Sequence, residues 1–326
     1  MSKTTLVTGA AGFIGSHTAQ ALLDRGDTVV ALDNLNAYYS RQLKLDRVAR
    51  LKKSPNFHFY EKDLTDKKAV DSIFKNHPLD NVCHLAAQAG VRYSLENPYA
   101  YIDSNVLGTT VIFETAKQND VKHIVYASSS SVYGKNKGKV FHEKMRLHTP
   151  ISLYAATKKA TELIAHSYHH LFGIESTGLR FFTVYGPWGR PDMFAFLLAK
   201  AITENETVKV FNEGKMHRDF TYIDDIVSGV VAALDQPLGY ETLNLGGANT
   251  TLLNDFIALI EKSMGKTAKK TYLPLQPGDV LRTSANVDRA RKLLGWEPKV
   301  RVEQGVKNFT DWFRDYYPTL KKAKDY

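Results

Sequence analysis

The first half of the chain alternates short apolar segments with longer segments in which apolar residues recur every three or four positions. The short segments are rich in valine and isoleucine and predict buried strands at residues 4–8, 27–32, 57–60, 82–86 and 124–127. Helical spacing between them predicts a helix from Phe13 to a stop at Gly26, and further helices at residues 41–51, 67–75, 99–117 and 154–171. Alternation of this kind predicts an α/β fold with a doubly wound parallel sheet of the Rossmann type.

The pattern changes after a further predicted strand at residues 175–181. Prolines interrupt shorter elements from there on, which indicates a smaller, less regular C-terminal domain that binds the substrate. We expect one strand, at residues 242–245, to return to the main sheet. The predicted domains are therefore a dinucleotide-binding domain of residues 1–182 with a return around 218–250, and a substrate-binding domain of residues 183–217 and 251–326.

Three glycines connect the first strand to the first helix, at Gly9, Gly12 and Gly15. Glycines in this place allow a tight turn and let backbone N–H groups at the helix N-terminus face a diphosphate. Asp33 follows the second strand, 18 residues after the last of these glycines, where a carboxylate can accept hydrogen bonds from a ribose. Its charge would repel a 2′-phosphate, so the pattern favours NAD over NADP.

Further cofactor contacts are expected along the same edge of the sheet. Asp63 and Leu64 follow the third strand and are expected to face the adenine, whereas Asn105 in the next long helix is a candidate for ordering the site. His84 is expected to be packed or hydrogen-bonded and not catalytic. The full set of expected cofactor-binding residues is Gly9, Gly12, Phe13, Ile14, Gly15, Asp33, Asn34, Asp63, Leu64, Leu85, Ala86, Ala87, Asn105, Tyr154 and Lys158.

Composition and charge exclude several other classes of function. The net charge of +9 comes from basic residues spread along the chain without an aromatic-rich basic stripe, so we expect no nucleic-acid partner, and a modest positive excess suits an anionic substrate. A single cysteine, Cys83, cannot form an internal disulfide and is expected in the core, which suits the cytoplasm. We see no signal peptide and no apolar stretch long enough for a membrane, and we expect no metal.

The candidate catalytic residues lie four positions apart, at Tyr154 and Lys158, and so share one face of the predicted helix. An ammonium near a phenol lowers the phenol pKa from about 10 toward neutrality and produces a base able to deprotonate a sugar hydroxyl. A run of serines ends the fifth strand, at the sheet edge where ligands of doubly wound folds bind.

These motifs together resemble the extended branch of the short-chain dehydrogenase/reductase superfamily over essentially the whole chain. The matching segments are GAAGFIG, HLAAQAGVRYS, YASSSSVYG, YAATK, LRFFTVYGPWGRPDM and RDFTYIDDI. The resemblance implies a catalytic triad of Ser129, Tyr154 and Lys158, with NAD as the cofactor.

Two positions narrow the resemblance. Dehydratases and decarboxylating members of the branch carry an acidic residue shortly after the triad serine, whereas this chain has Ser130 and Ser131, which favours epimerisation at one carbon. Thr183 stands where UDP-galactose 4-epimerases typically have Asn. Together with the stretch DNLNAYY, these features are similar to the UDP-glucuronate 4-epimerase family.

A uronate carries a carboxylate at C6. Hydroxyl donors at Ser130, Ser131 and Thr183 suit that carboxylate, with Arg190 as a charged neighbour, although Ser131 equally suits a plain strand end. The resemblance implies the remaining UDP-sugar contacts. It assigns the diphosphate to Arg218 and Arg282, the uracil border to Val210 and Phe211, a ribose contact to Asp279, and a further substrate contact to Arg92.

Two alternatives stay open at this point. The enzyme alternative is a UDP-glucose/UDP-galactose or UDP-N-acetylhexosamine 4-epimerase. The non-enzyme alternative is an NAD-binding regulator, against which the presence of both Tyr154 and Lys158 counts. The resemblance also implies a homodimer in which the helices at 99–117 and 154–171 pair as a four-helix bundle.

Overall fold

The computed structural model describes residues 2–135, 140–275 and 280–323. Its centre is a seven-stranded parallel sheet with the strand order β11-β6-β5-β4-β1-β2-β3. The strands are β1 (Thr4–Thr8), β2 (Thr28–Asp33), β3 (Phe57–Glu61), β4 (Asn81–His84), β5 (His123–Ser129), β6 (Glu175–Phe181), β7 (Thr183–Tyr185), β8 (Thr207–Phe211), β9 (His217–Arg218), β10 (Phe220–Tyr222), β11 (Tyr240–Leu245), β12 (Thr251–Leu252) and β13 (Lys269–Leu273). The order reverses at β1, which makes this the doubly wound α/β sheet that the sequence predicts.

Helices cover both faces of this sheet. They are α1 (Phe13–Asp24), α2 (Arg41–Leu51), α3 (Lys67–Asn76), α4 (Tyr93–Glu96), α5 (Pro98–Tyr101), α6 (Gly108–Gln118), α7 (Leu153–Phe172), α8 (Phe194–Glu204), α9 (Ile223–Asp235), α10 (Leu253–Met264), α11 (Asp288–Leu294) and α12 (Val302–Lys322). Helix α1 packs against α2 and α9, whereas α6 packs against α3 and α7. Successive residues of β1 serve the two faces, since Leu6 belongs to one buried apolar cluster and Val7 to the other.

The expected strand at 242–245 is confirmed as part of β11, which pairs in parallel with β6 along its whole length. Cys83 is fully buried in β4, as expected for a small core residue. Strand β4 ends at His84, two residues earlier than predicted, because the Ala86 N–H donates to the Thr8 side-chain hydroxyl at 3.2 Å and not to a backbone carbonyl of β1.

The single helix expected at 99–117 is wrong in detail. Helix α5 passes into a π-helix at Ile102–Leu107 before α6 begins at Gly108. A π-helical turn accommodates extra residues and leaves no mark in the apolar spacing, which explains why the sequence suggested one regular helix.

The second half of the chain adds short two-stranded sheets beside the main sheet. Strand β7 pairs in parallel with β10, β8 pairs in parallel with β13, and β9 pairs antiparallel with β12. Helices α8, α10 and α12 pack together around them. These elements form one wall of a large cavity, whose other wall is the carboxyl edge of the main sheet.

None of the helices in the described part of the chain combines the length and apolar character needed to cross a membrane. Over the same described residues, no group of three or more His, Cys, Asp or Glu side chains is placed to hold a metal ion.

Candidate active site

A cavity of about 1360 Å³ lies where the strands of the main sheet end. Residues directly after or at the ends of β1, β2, β4, β5 and β6 line it: Gly9, Asp33, Leu85, Ser129 and Phe181. Ligands of open α/β sheets bind at this edge, next to the point where the strand order reverses. The cavity is large enough for a dinucleotide and a nucleotide sugar together.

The glycine turn has no room for side chains. Gly9 has a φ of +71° and a Cβ there would lie 2.7 Å from the backbone nitrogen of Ala86. A Cβ on Gly15 would overlap the carbonyl oxygen of Gly9. Gly12 is the N-cap residue of α1 and donates its N–H to that same carbonyl at 2.9 Å. The turn therefore brings bare backbone to the cavity at a helix N-terminus, the arrangement that binds diphosphates.

Asp33, the last residue of β2, is hydrogen-bonded to this turn. One carboxylate oxygen accepts the Ala11 N–H at 3.0 Å and the other accepts the Leu35 N–H at 2.8 Å. Burial raises the pKa of Asp33, although these hydrogen bonds and the charges of Lys44 and Arg47 oppose the rise. Each carboxylate oxygen keeps a second lone pair for a ribose hydroxyl.

Asp63 and Asn34 meet a short distance away, where Asn34 donates to Asp63 at 2.7 Å. They line the cavity together with the rest of the expected cofactor set apart from Asn105, namely Phe13, Ile14, Leu64, Leu85, Ala86, Ala87, Tyr154 and Lys158. His84 lies behind the wall, fully hydrogen-bonded between Thr8 at 2.8 Å and Thr109 at 3.1 Å. Burial lowers its pKa to about 3, which keeps it neutral and supports the expectation of a structural histidine.

Ser129, Tyr154 and Lys158 come together at the centre of the cavity wall. Ser129 ends β5 and its side chain hydrogen-bonds the phenol of Tyr154. Tyr154 and Lys158 lie one turn apart at the start of α7, which Ser152 caps by accepting the Ala155 N–H. The triad expected from the sequence is therefore assembled in space.

The electrostatics of the triad differ from the expectation. Burial raises the pKa of Tyr154, and the hydrogen bond from Ser129 offsets the rise only in part. The Lys158 ammonium donates to the Ala127 carbonyl at 2.9 Å, and burial lowers the pKa of Lys158 to about 8. Lys158 does not contribute to the Tyr154 pKa shift in this structure, because its ammonium is held at the Ala127 carbonyl, and the expected lowering of the Tyr154 pKa by Lys158 stays a prediction.

Asn105 does not line the cavity, so the expectation that it contacts the cofactor is wrong. Its amide oxygen accepts the Gln88 N–H at 2.8 Å, and its amide nitrogen donates to the Gln88 carbonyl and to Thr157, both at 3.0 Å. Thr157 in turn donates to the Tyr154 carbonyl at 3.0 Å. Asn105 therefore fixes one cavity wall and the start of α7 from behind.

Ser130, Ser131, Thr183 and Arg190 line the same cavity as the triad. Ser131 donates its backbone N–H to the Ser129 hydroxyl at 3.1 Å. The described residues of this short 3₁₀ turn, Ser130–Tyr133, contain no acid. Hydroxyl groups are thus the chemistry that the chain offers beside the triad.

Arg190 is held by two residues that sequence reasoning missed. Asp192 accepts two hydrogen bonds from its guanidinium, at 2.6 and 3.0 Å. Tyr38 donates to the same carboxylate at 3.1 Å, and burial together with the Asp192 charge raises the pKa of Tyr38 to about 12. The stretch DNLNAYY carried the signal for Tyr38, and the motif GRPDM carried that for Asp192.

The expected UDP-binding residues divide into two groups. Arg92, Phe211 and Arg218 line the cavity, and the Arg92 guanidinium lies 4.7 Å from the centre of the Phe211 ring. Val210 does not, because strand alternation turns it fully into the core.

Arg282 does not line the cavity either, since its guanidinium donates to Thr250 at 3.1 Å. The structure therefore contradicts Val210 as a side-chain contact, because Val210 is fully buried, whereas the contact of Arg282 with the diphosphate stays a prediction. Asp279 lies outside the described residues.

A parallel sheet with a glycine turn, an acidic residue at the end of β2 and a Ser–Tyr–Lys triad beside one long cavity defines a dinucleotide-dependent enzyme that acts on an alcohol or carbonyl group. The sequence model of the NAD-dependent epimerase/dehydratase family matches residues 5–246. The chain belongs to this family.

Relatives and solved structures to which the chain is similar include several nucleotide-sugar 4-epimerases. The chain is 47% identical over 320 residues to a UDP-glucuronate 4-epimerase of Thermodesulfobacterium geofontis, covering 98% of each chain. It resembles the crystal structure of the UDP-glucuronic acid 4-epimerase of Bacillus cereus in complex with UDP-glucuronic acid and NAD. The TM-score is 0.91 and the sequence identity 36%, and the match covers 96% of this chain and 100% of the B. cereus chain. It also resembles the crystal structure of the UDP-glucose 4-epimerase of Thermotoga maritima with UDP-glucose. The TM-score is 0.89 and the sequence identity 31%, and the match covers 96% of this chain and 99% of the T. maritima chain.

Proposed function

We propose that this protein is a UDP-glucuronate 4-epimerase that interconverts UDP-glucuronate and UDP-galacturonate through a transient 4-keto sugar. The observation that carries the proposal is the acid-free group of hydroxyls, Ser130, Ser131 and Thr183, beside the triad in one cavity. Such donors suit a C6 carboxylate, whereas an elimination would need an acid there. The names of the T. geofontis and B. cereus enzymes point to the same reaction.

NAD fits the cofactor half of the cavity. The three glycines of the Gly9–Gly15 turn, where an added Cβ would crowd the backbone, suit the close approach of its diphosphate, and the two oxygens of Asp33 suit the adenosine ribose. Bound NAD would accept the hydride from C4 and return it to the other face of the sugar. Because the hydride is returned, the reaction needs no net supply of cofactor.

The residues of this chain would then handle the proton. Tyr154 as phenolate takes the proton from O4 and gives it back when the ketone is reduced. Ser129, which bonds the Tyr154 phenol, would donate to O4 of the sugar. Lys158 stays cationic near neutral pH even with its pKa lowered to about 8, and so favours the phenolate and offers a donor to the ribose.

The same chemistry has a side reaction that the site must suppress. The intermediate is a ketone β to a carboxylate, and such acids lose CO₂ when the bond to the carboxylate stands perpendicular to the carbonyl plane. Hydrogen bonds from Ser130, Ser131 and Thr183 would hold the C5–C6 bond away from that geometry. The salt-bridged Arg190 supplies a positive charge close by.

The two halves of the chain would divide the ligands. We propose that residues 1–182, with the return around 218–250, hold NAD, and that 183–217 and 251–326 hold the UDP-sugar. Arg92, Phe211 and Arg218 are then the cavity residues for the UDP end.

We further propose a homodimer in the cytoplasm. Exposed apolar side chains are spread along α5, the π-helix and α7: Tyr99, Ile102, Leu107, Leu163 and Leu171. Such a surface suits a second copy of the chain packing as a four-helix bundle. Light scattering after gel filtration would measure the mass, and a monomer would contradict this part of the proposal.

The test of the activity uses the purified protein without added NAD. We expect incubation with UDP-glucuronate to give UDP-galacturonate, identified by NMR, whereas UDP-glucose stays unchanged. Turnover of UDP-glucose or a UDP-N-acetylhexosamine instead would support the alternative specificity. Turnover of none of these substrates would contradict the proposed activity and favour the alternative of an NAD-binding regulator.

A further inference from the structure

Arg47 is a fully buried arginine on α2 that lies outside the cavity wall. Its guanidinium makes four hydrogen bonds, and all of them go to uncharged oxygens. One terminal nitrogen donates to the Ala11 carbonyl at 2.9 Å and to the Tyr39 hydroxyl at 2.8 Å. The other donates to the carbonyls of Trp188 at 2.6 Å and Gly189 at 3.3 Å.

Three of these acceptors belong to two separate loops, and the fourth, Tyr39, lies between β2 and α2. Ala11 lies in the glycine turn, next to Gly12 at the start of α1. Trp188 and Gly189 directly precede Arg190, 141 and 142 residues further along the chain from Arg47. One planar guanidinium therefore joins the turn proposed for the NAD diphosphate to the loop that carries Arg190.

The loop needs such a tie. Trp188 has a φ of +59°, a backbone conformation that a large side chain rarely adopts without support. Gly189 and Arg190 follow at once, so the direction of the Trp188 and Gly189 carbonyls sets where the Arg190 side chain leaves the backbone. A fork of donors at fixed angles holds two carbonyls in one orientation, which a single ammonium cannot do.

The buried charge also has a use at the turn. Placing an arginine among neutral acceptors alone is costly in the interior. An anion at the Gly9–Gly15 turn would compensate it, and Arg47 already acts over distance on the nearby Asp33, whose pKa burial raises and Arg47 lowers.

We propose that Arg47 is a positioning residue that fixes the Arg190 loop relative to the cofactor turn, so that binding of the acidic sugar depends on a side chain that touches neither ligand. The identity of the sugar rests on the proposed function. The geometric tie between the two loops does not.

The test replaces Arg47 by lysine, which keeps the charge but cannot hold two loops. Both Tyr154→Phe and Tyr154→Phe/Arg47→Lys proteins are purified with their bound NAD, so that no turnover disturbs the binding measurement. Calorimetry then gives dissociation constants for UDP, which lacks the sugar, and for UDP-glucuronate. We expect Arg47→Lys to raise the dissociation constant of UDP-glucuronate about tenfold, the effect of losing a charged hydrogen bond. The dissociation constant of UDP should rise less than about twofold.

Arg50→Lys is the matched control, because Arg50 lies one turn along α2 and its guanidinium lies over the ring of Trp188, at 4.5 Å, a position that a lysine ammonium can also take. It should change both constants by less than about twofold. An unchanged ratio of the two dissociation constants in Arg47→Lys would overturn the inference. This includes the case in which binding of both ligands weakens by the same factor.

If Arg47→Lys does not fold, Arg47→Gln, whose single amide group can reach one of the two loops but not both, is read on the same ratio. A selective loss of UDP-glucuronate supports the tie, and an unchanged ratio rejects it. Wild-type turnover of UDP-glucuronate is measured separately. Its absence would contradict the proposed function without affecting the binding comparison.

Discussion

Arg180 holds the carboxylate of Glu162 through two hydrogen bonds, of 2.8 and 2.9 Å, at a place where neither side chain exposes more than 3% of its surface. Glu162 lies one turn beyond Lys158 on α7, and Arg180 lies on β6. The same carboxylate accepts a hydrogen bond of 2.7 Å from Ser128, the neighbour of Ser129. The pair therefore fixes α7 against the sheet directly beneath the triad.

Breaking this pair should destabilise the whole protein. Glu162→Gln leaves the buried Arg180 charge uncompensated, so we expect the free energy of unfolding to fall by about 3–5 kcal/mol, measured by urea denaturation. Lys307→Met is the control, because it breaks the exposed pair with Asp311 and should cost less than about 1 kcal/mol. An equal fall of the unfolding free energy in the two variants would show that burial does not make the Glu162–Arg180 pair more important for stability than an exposed pair.

Gly15→Ala should impair cofactor retention. A Cβ at this position would overlap the Gly9 carbonyl, so the turn must shift away from the position that suits a diphosphate. We expect the bound NAD per chain to fall, with an affinity at least about tenfold weaker, measured by release on denaturation and by titration.

Gly26→Ala controls for the general cost of replacing glycine at the other end of the same helix. Gly26 has a φ of +90° and no atom would lie within 4 Å of its Cβ. The strain should cost about 1–2 kcal/mol of stability without loss of NAD. Full NAD retention in Gly15→Ala would argue against the turn as the diphosphate site.

Tyr154→Phe should abolish turnover while leaving binding in place. The substitution removes the proton-transferring hydroxyl and keeps the ring, which packs edge-on against Tyr101 at 6.0 Å. We expect kcat to fall by about 10²–10⁴-fold, with UDP and NAD affinities little changed. Tyr168→Phe, on the same helix but bonded to Glu114 at 2.9 Å, should keep full activity. Retained turnover in Tyr154→Phe would remove Tyr154 from the proposed base role.

Thr183→Ala should increase loss of CO₂ during turnover. The variant removes one of three hydroxyls available to hold the C6 carboxylate, so more of the 4-keto intermediate should reach the geometry for decarboxylation. The ratio of UDP-pentose to UDP-galacturonate, followed by NMR, measures the effect. Thr203→Ala is the control, because its hydroxyl bonds Ala199 on α8 and does not line the cavity. An unchanged product ratio in Thr183→Ala would reject the clamp.

Asp219 predicts an unusual pH dependence of stability. Burial raises its pKa to about 6, although its carboxylate accepts N–H groups from Gly247 at 2.5 Å and Ala285 at 2.8 Å. Because the folded state binds this proton more tightly than the unfolded state, the carboxylate destabilises the fold as pH rises from about 4 to 6. Wild type should lose about 3 kcal/mol relative to Asp219→Asn between about pH 3 and pH 7, a range that extends about one unit beyond each pKa. A difference in unfolding free energy that stays constant with pH would contradict the shifted pKa.

Much of the site was open to prediction because it depends on local chain geometry. The glycine turn follows a strand and opens a helix, and Tyr154 and Lys158 share a helix face, so sequence spacing alone places these residues at the sheet edge. Strand alternation could likewise have excluded Val210, because its neighbour Phe211 was also expected at the cavity and adjacent strand residues face opposite sides.

The remainder depends on contacts between distant segments. Asn105 was expected to reach the cofactor, but a π-helix that leaves no trace in the sequence pattern turns it toward Gln88 and Thr157. The Lys158 ammonium was expected beside the phenol, yet its direction is decided by the carbonyl of Ala127 on another element. Arg47 carried no motif signal, because its role arises only when loops more than a hundred residues apart meet.

The π-helix at Ile102–Leu107 has an evolutionary consequence. A helix that already contains a wide turn can lose one residue there and return to the regular α form, with all backbone hydrogen bonds made. The residues before the deletion would then rotate by about 100° about the helix axis relative to those after it. A single codon loss could thus exchange the side chains that α5 presents to solvent while leaving α6 and its packing on the sheet untouched. The same rotation would carry Tyr101 away from Tyr154, so the π-helix also keeps the buried side of α5 in register with the triad.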